Sequence, residues 1–153
     1  MLIEGKKIIV TGSASGMGEA TLKAYVQAGA NVVGMDVSDD TGSLICENAN
    51  NVGPGKCSYI NVDVSNKVIV LESFSKANEV LGGLDVLAHP AAIQRASDAS
   101  EVTEEDWDLM FAINVKGTMR TNQAAQTYMK LNGGGSIINF GSISGLRPEP
   151  SAS

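Results

Sequence analysis

Cysteine, proline, aromatic residues and clustered positive charge are all scarce in this chain. Its 153 residues include two cysteines, four prolines, one histidine, one tryptophan, three tyrosines and three phenylalanines. Cys46 and Cys57 lack the close spacing of a zinc pair, and His89 is distant from both in sequence, so no metal site is expected. The sequence leaves a disulfide between them open. The opening stretch, MLIEGKKIIVTGS, sets an acid beside its basic pair, and its apolar run Ile8–Val10 is too short for a secretory core. Two buried or idle thiols are therefore the expectation. No run approaches the length of a membrane span. Eleven Lys and Arg against 17 Asp and Glu leave a net charge of -6. The cations are not grouped as phosphate-backbone binding requires, so no nucleic-acid partner is expected. These absences together lead to an expectation of a soluble cytoplasmic protein.

What is present is an ordinary globular mixture, 43% hydrophobic and 18% charged, of a length suited to one domain. Short β-rich runs alternate with segments of helical spacing. KKIIVTG, NVVGMDV, KCSYINVDV, LDVLAHPAA and SIINFGS read as five strands. Helical patterns fall at 16–29, more weakly at 41–51, over SNKVIVLESFSKANEVLGG, and from Thr103 to about Lys130 with a bend. Ser65 is the candidate cap of the third helix, and Thr103 followed by three acids is a good start for the last. Val68–Leu71 is β-branched, but its flanks favour helix. The alternation predicts an α/β fold: a Rossmann-like doubly wound parallel sheet with helices on both faces.

The first turn carries the clearest chemistry. VTGSASGMGEA follows the first strand and opens the first helix, with glycines at Gly12, Gly16 and Gly18. One glycine permits the tight turn, another lets backbone approach a pyrophosphate, and a third packs the helix close to the sheet. The helix N-terminus then offers N–H groups to an anion. Asp36 ends the second strand eighteen residues after Gly18, where a dinucleotide fold places an acid on the adenosine ribose. Ser13, Ala14 and Ser15 in the turn and Val37 after the acid supply no cation for a 2′-phosphate. The expected cofactor is NAD rather than NADP.

The chain resembles the N-terminal part of the short-chain dehydrogenases/reductases along its whole length. TGSASGMG stands at the family's glycine motif, NVDVS at its third-strand acid, INVKG at its helical Asn, and GSIINFGSISG at its fifth strand and catalytic Ser. The resemblance implies cofactor contacts at Gly12, Ser15, Gly16, Met17, Gly18, Asp36, Val37, Asp63, Val64, Pro90, Ala91 and Ala92. Catalytic roles fall on Ser142 and Asn114. LAHPAAI departs from the family's NNAG motif; both Asn side chains are gone, and His89 is expected to make a structural hydrogen bond in their place. Residues 90–100 are expected to help shape the substrate pocket, with Gln94 and Arg95 facing it or solvated.

In the family a Tyr, tuned by a Lys in a YxxxK motif, exchanges the proton. Tyr25, Tyr59 and Tyr128 are followed four residues later by Gly29, Asp63 and Asn132, so none starts that motif. Tyr25 and Tyr128 are expected to pack. The family's Tyr would fall shortly after the loop of Pro148 and Pro150. The expectation is thus an incomplete dinucleotide-binding domain over 1–153. The parent would be an NAD-dependent oxidoreductase of a secondary alcohol or ketone and form a homodimer or homotetramer, while the chain alone would be inactive, with an apolar face including Ile113 or Met119 exposed. The alternative is a nucleotide-binding sensor or structural module without hydride transfer.

Overall fold

The computed structural model describes residues 3–95 and 100–147. Five strands form one parallel sheet: β1 (Lys7–Thr11), β2 (Asn31–Asp36), β3 (Lys56–Asn61), β4 (Val86–His89) and β5 (Ser136–Asn139). Their order is β3-β2-β1-β4-β5, with each neighbour parallel. The order reverses beside β1, and such a switch point opens a crevice at the carboxyl ends of the strands.

The alternation of side chains along each strand divides the core in two. Ile9, Val33, Met35 and Leu87 face α3 (Lys67–Leu81) and α5 (Thr118–Leu131), meeting Val70, Phe74, Ala125 and Met129. Ile8, Val10, Val32 and Ala88 face α1 (Gly16–Gln27) and α2 (Asp39–Val52), meeting Leu22, Val26 and Ile45. Tyr25 packs on the second cluster and Tyr128 on the first, as packing residues.

Several boundaries differ from the sequence expectation. The weak second helix is longer than 41–51, starting at Asp39, where Asp39 and Asp40 place two acids in its first turn. The third strand stops at Asn61, and the alternation continues into Val62 and Val64 because both are buried under the next helix pair. Asn66, not Ser65, caps α3: its side chain accepts the N–H groups of Val68 and Ile69 at 3.0 and 3.2 Å. Ser65 instead donates its own N–H to Asp63 Oδ1 at 2.8 Å. Gly82 closes α3 in the left-handed region, φ +68.

The anticipated bend is a change of helix type. α4 (Glu104–Met110), capped by Thr103 accepting from Asp106 N–H at 3.1 Å, runs into a π-helical segment, Phe111–Gly117, and then α5. Gly117 sits where a Cβ would press on Val64 Cγ2 at 2.9 Å, so glycine lets this helix approach the end of β3. Arg120 fastens the same junction, donating to Ser65 O at 2.8 Å. Met119 is exposed as expected; Ile113 is not, being half-buried against the core. Pro148 and Pro150 lie outside the described residues.

Candidate active site

At the carboxyl ends of β1, β2 and β4 lies a cleft of about 330 Å³. Its walls include Gly12, Ser15, Gly16, Met17 and Gly18 from the first turn, and Asp36 and Val37 from the end of β2. Asp63 and Val64 follow β3, and Pro90, Ala91 and Ala92 follow β4. The structure thus brings together all the residues singled out for cofactor contact. Met35, Val62, Ile93 and Ile113 complete the lining and were not singled out; as apolar residues they carry no motif.

The three glycines have separable causes. Gly12 has φ +60, and a Cβ there would lie 2.7 Å from Ala91 Cα. A Cβ on Gly18 would collide with the carbonyl oxygen of Gly12, so this glycine lets α1 begin hard against the strand end. Gly16 has φ +51 but no atom within 4 Å of its missing Cβ. Its freedom is conformational, and the space beside it is open. Ser15, at the N-cap, makes no side-chain capping bond, so the first amides of α1 have no side-chain acceptor there. A left-handed glycine, open space and uncapped helix amides at the mouth of one cleft fit the pyrophosphate of a dinucleotide.

Asp36 is held in place by backbone. Its Oδ2 accepts the Ala14 N–H and its Oδ1 the Ser38 N–H, both at 3.0 Å. A carboxylate has about four acceptor positions, so acceptor capacity remains on both oxygens. Tyr59 supports the same strand end by donating its hydroxyl to Asp36 O at 2.6 Å, and burial pushes its pKa up to about 12. No Lys or Arg is among the described residues lining this cleft.

A second cleft of about 690 Å³ adjoins the first through Met17, Pro90, Ala91, Ala92 and Ile93. Asn114 and Ser142 line it together, as do Gln94, Arg95, Met110 and Phe140. Arg95 also pairs with Asp106 at 3.5 Å. Asn114, on the π-helical segment, clamps Ile93 from both sides: Oδ1 accepts its N–H at 2.9 Å, and Nδ2 donates to its carbonyl at 2.8 Å. Ser142 lies beyond β5, just before the short turn Ile143–Gly145.

His89 forms a buried relay beneath this cleft. The Thr118 hydroxyl donates to the Asn114 carbonyl at 2.7 Å, so its oxygen accepts from His89 Nε2–H at 3.1 Å. Nδ1 is then the acceptor and takes the Thr11 hydroxyl proton at 2.7 Å. Burial lowers the His89 pKa to about 4, which keeps the ring neutral. One ring thereby ties β1 to the helix carrying Asn114. None of Tyr25, Tyr59 and Tyr128 lines either cleft.

The sequence pattern of the family described as short chain dehydrogenase matches residues 6–153. The chain belongs to that family. It is 33% identical over 150 residues to 3-oxoacyl-[acyl-carrier-protein] reductase FabG of Thermotoga maritima, covering 98% of this chain and 61% of that protein. It is 35% identical over 150 residues to sorbitol dehydrogenase of Cereibacter sphaeroides, covering 97% and 57%. A solved short chain dehydrogenase from Mycobacterium smegmatis superimposes with a TM-score of 0.92 at 28% identity, covering 99% of this chain and 63% of that one. The chain spans about three fifths of the length of these relatives. Gly12, Gly16, Gly18, Asn114 and Ser142 all lie on the walls of the two joined clefts.

Proposed function

We propose that the first cleft binds NAD and the second a secondary alcohol or ketone, so that the protein is an NAD-dependent oxidoreductase with residues 1–153 as its dinucleotide-binding domain. The bound cofactor supplies a hydride acceptor or donor. The observation that carries this reading is the anchored Asp36. Two backbone N–H groups aim its carboxylate along the cleft wall, where its remaining lone pairs suit a ribose diol. A 2′-phosphate there would meet that negative charge, with no cation in the lining to offset it.

Gly16 and the first amides of α1 hold the pyrophosphate, Asp63 and Val64 flank the adenine, and Pro90, Ala91 and Ala92 leave room beside the ring system. Ser142 orients the substrate oxygen by hydrogen bonding. Asn114 fixes the Ile93 backbone between the clefts, a positioning role supported by its double bond to that residue. Met110, Phe140 and Ile93 give the second cleft an apolar wall suited to a carbon skeleton.

Trp107, Phe111, Val115 and Met119 are 54, 44, 53 and 50% exposed and recur every fourth residue. Such an apolar row suits a helix face packed on a second copy, as in a dimer or tetramer. A cytoplasmic enzyme without nucleic-acid or membrane partners completes the reading; no described helix is long and apolar enough to cross a membrane.

The test is hydride transfer by the full-length protein, followed by nicotinamide absorbance over a panel of secondary alcohols and ketones. Turnover that drops at least tenfold in Ser142→Ala supports the assignment. The second reading is a nucleotide-binding module without chemistry. NAD binding without turnover on any substrate would select it.

A further inference from the structure

Cys46 and Cys57 take no part in either cleft, yet the fold brings them together. Cys46 lies on α2 and Cys57 on the edge strand β3, with their Sγ atoms 2.6 Å apart. Asn50, one turn beyond Cys46, holds the Cys57 backbone at both ends. It accepts the Cys57 N–H at 2.7 Å and donates to the Cys57 carbonyl at 2.9 Å. The pair is thus held by two elements that are themselves pinned to each other.

The two thiols differ in access. Cys46 is buried, 3% exposed, whereas Cys57 is partly exposed. Cys57 lines a groove of about 390 Å³ at the sheet edge, with Asn31, Lys56, Val80 and Leu81. Val80 and Leu81 put that groove on the α3 face of β3, whereas the Cys57 side chain packs with Cys46 on the α2 face; there a small reagent meets the partly exposed Cys57 before the buried Cys46. The Cys57 thiol donates to Cys46 Sγ, which lowers the Cys46 pKa and raises that of Cys57. Cys46 is therefore the better-stabilised thiolate and Cys57 the reachable thiol.

We propose that Cys46 and Cys57 form a reactive dithiol site, separate from the cofactor cleft, that exchanges with small disulfides and closes into an internal disulfide. Cys57 gives up its proton to water and attacks one sulfur of the incoming disulfide. A Cys57–S–S–R bond forms, the reagent's own S–S bond breaks, and the departing thiolate takes the proton from Cys46. Cys46 then attacks Cys57 Sγ. The Cys46–Cys57 bond forms, and the second small thiolate leaves and is protonated by water. Two electrons pass from the cysteine pair to the reagent, which ends as two thiols. The new bond ties α2 to β3 and requires no cofactor.

The test uses the full-length protein and oxidised glutathione, read by intact mass and peptide mapping with and without dithiothreitol. The expected wild-type product lacks two hydrogens, carries no glutathione, and yields a linked Cys46–Cys57 peptide that dithiothreitol releases. Cys46→Ser should stop at one glutathione on Cys57. Wild-type protein that remains fully reduced, or that accumulates glutathione on Cys57 without closing the internal bond, would overturn the proposal. The wild-type result decides even if the variant does not fold.

Discussion

The Asp36 carboxylate accepts the Ala14 N–H at 3.0 Å, so the acid ending β2 and the glycine turn ending β1 are one hydrogen-bonded unit. Asp36 has a structural task before any ligand arrives. Asp36→Ala leaves the Ala14 and Ser38 N–H groups without their acceptor and should destabilise the fold by about 1–2 kcal/mol. Asp36→Asn keeps one carbonyl acceptor and should lose about half of that. Urea unfolding of the variants checks the order; equal stability of all three would show that these bonds contribute nothing.

The glycines of the first turn should separate into folding and binding positions. Gly18→Ala forces a Cβ onto the Gly12 carbonyl, a backbone clash that should cost roughly 1–3 kcal/mol or more. Gly16→Ala meets no atom, and only its φ of +51 resists, at roughly 1–2 kcal/mol. The Gly16 variant should fold and lose dinucleotide affinity because its methyl enters the open space. Thermal unfolding with and without NAD distinguishes the two outcomes.

His89 should make stability depend on acid. Its folded pKa is depressed to about 4, below the ordinary value of 6.5. The unfolded chain therefore binds the proton first as pH falls. The stabilising contribution of the neutral ring is fully present above about pH 6.5 and is lost between there and about pH 4. The shift corresponds to roughly 3 kcal/mol for a ring this buried. Denaturant unfolding at pH 7.5 and pH 5 should show the loss, and His89→Asn should flatten that part of the slope. An unchanged slope in the variant would assign the loss to other groups.

Cap assignment on α3 gives a direct contrast. Asn66→Ala removes the acceptor of two amides and should cost about 1 kcal/mol. Ser65→Ala leaves both amides satisfied and should change stability by a few tenths at most. Equal losses would return the cap to Ser65.

Much of the fold was legible because it rests on local rules. Apolar runs ended by glycine marked the strands, and the alternation of strand and helix implied the parallel sheet. The glycine turn and Asp36 were readable since each is a short motif whose geometry is nearly self-contained. Other features depend on partners far apart in sequence. His89 bonds Thr11 and Thr118, residues with no sequence signal of their own. The expected structural hydrogen bond exists, but its partners and the relay to Asn114 were invisible. The same holds for Cys57, whose neighbour Cys46 is supplied by the packing of α2 on β3. Asn66 was overlooked beside Ser65 because both are good caps and only backbone geometry chooses between them. The π-helical segment read only as a bend, since the apolar row Trp107, Phe111, Val115 and Met119 keeps one spacing through it.

The central claim is that the Asp36 cleft takes NAD in preference to NADP. Calorimetric titration of both cofactors into the full-length protein and its Asp36→Ala variant tests it most directly. The wild type should bind NAD more tightly than NADP. The variant should lose about tenfold or more in NAD affinity, for a charge-assisted bond worth roughly 1.5–3 kcal/mol, with little loss for NADP. Equal losses for both cofactors, or wild-type preference for NADP, would contradict it.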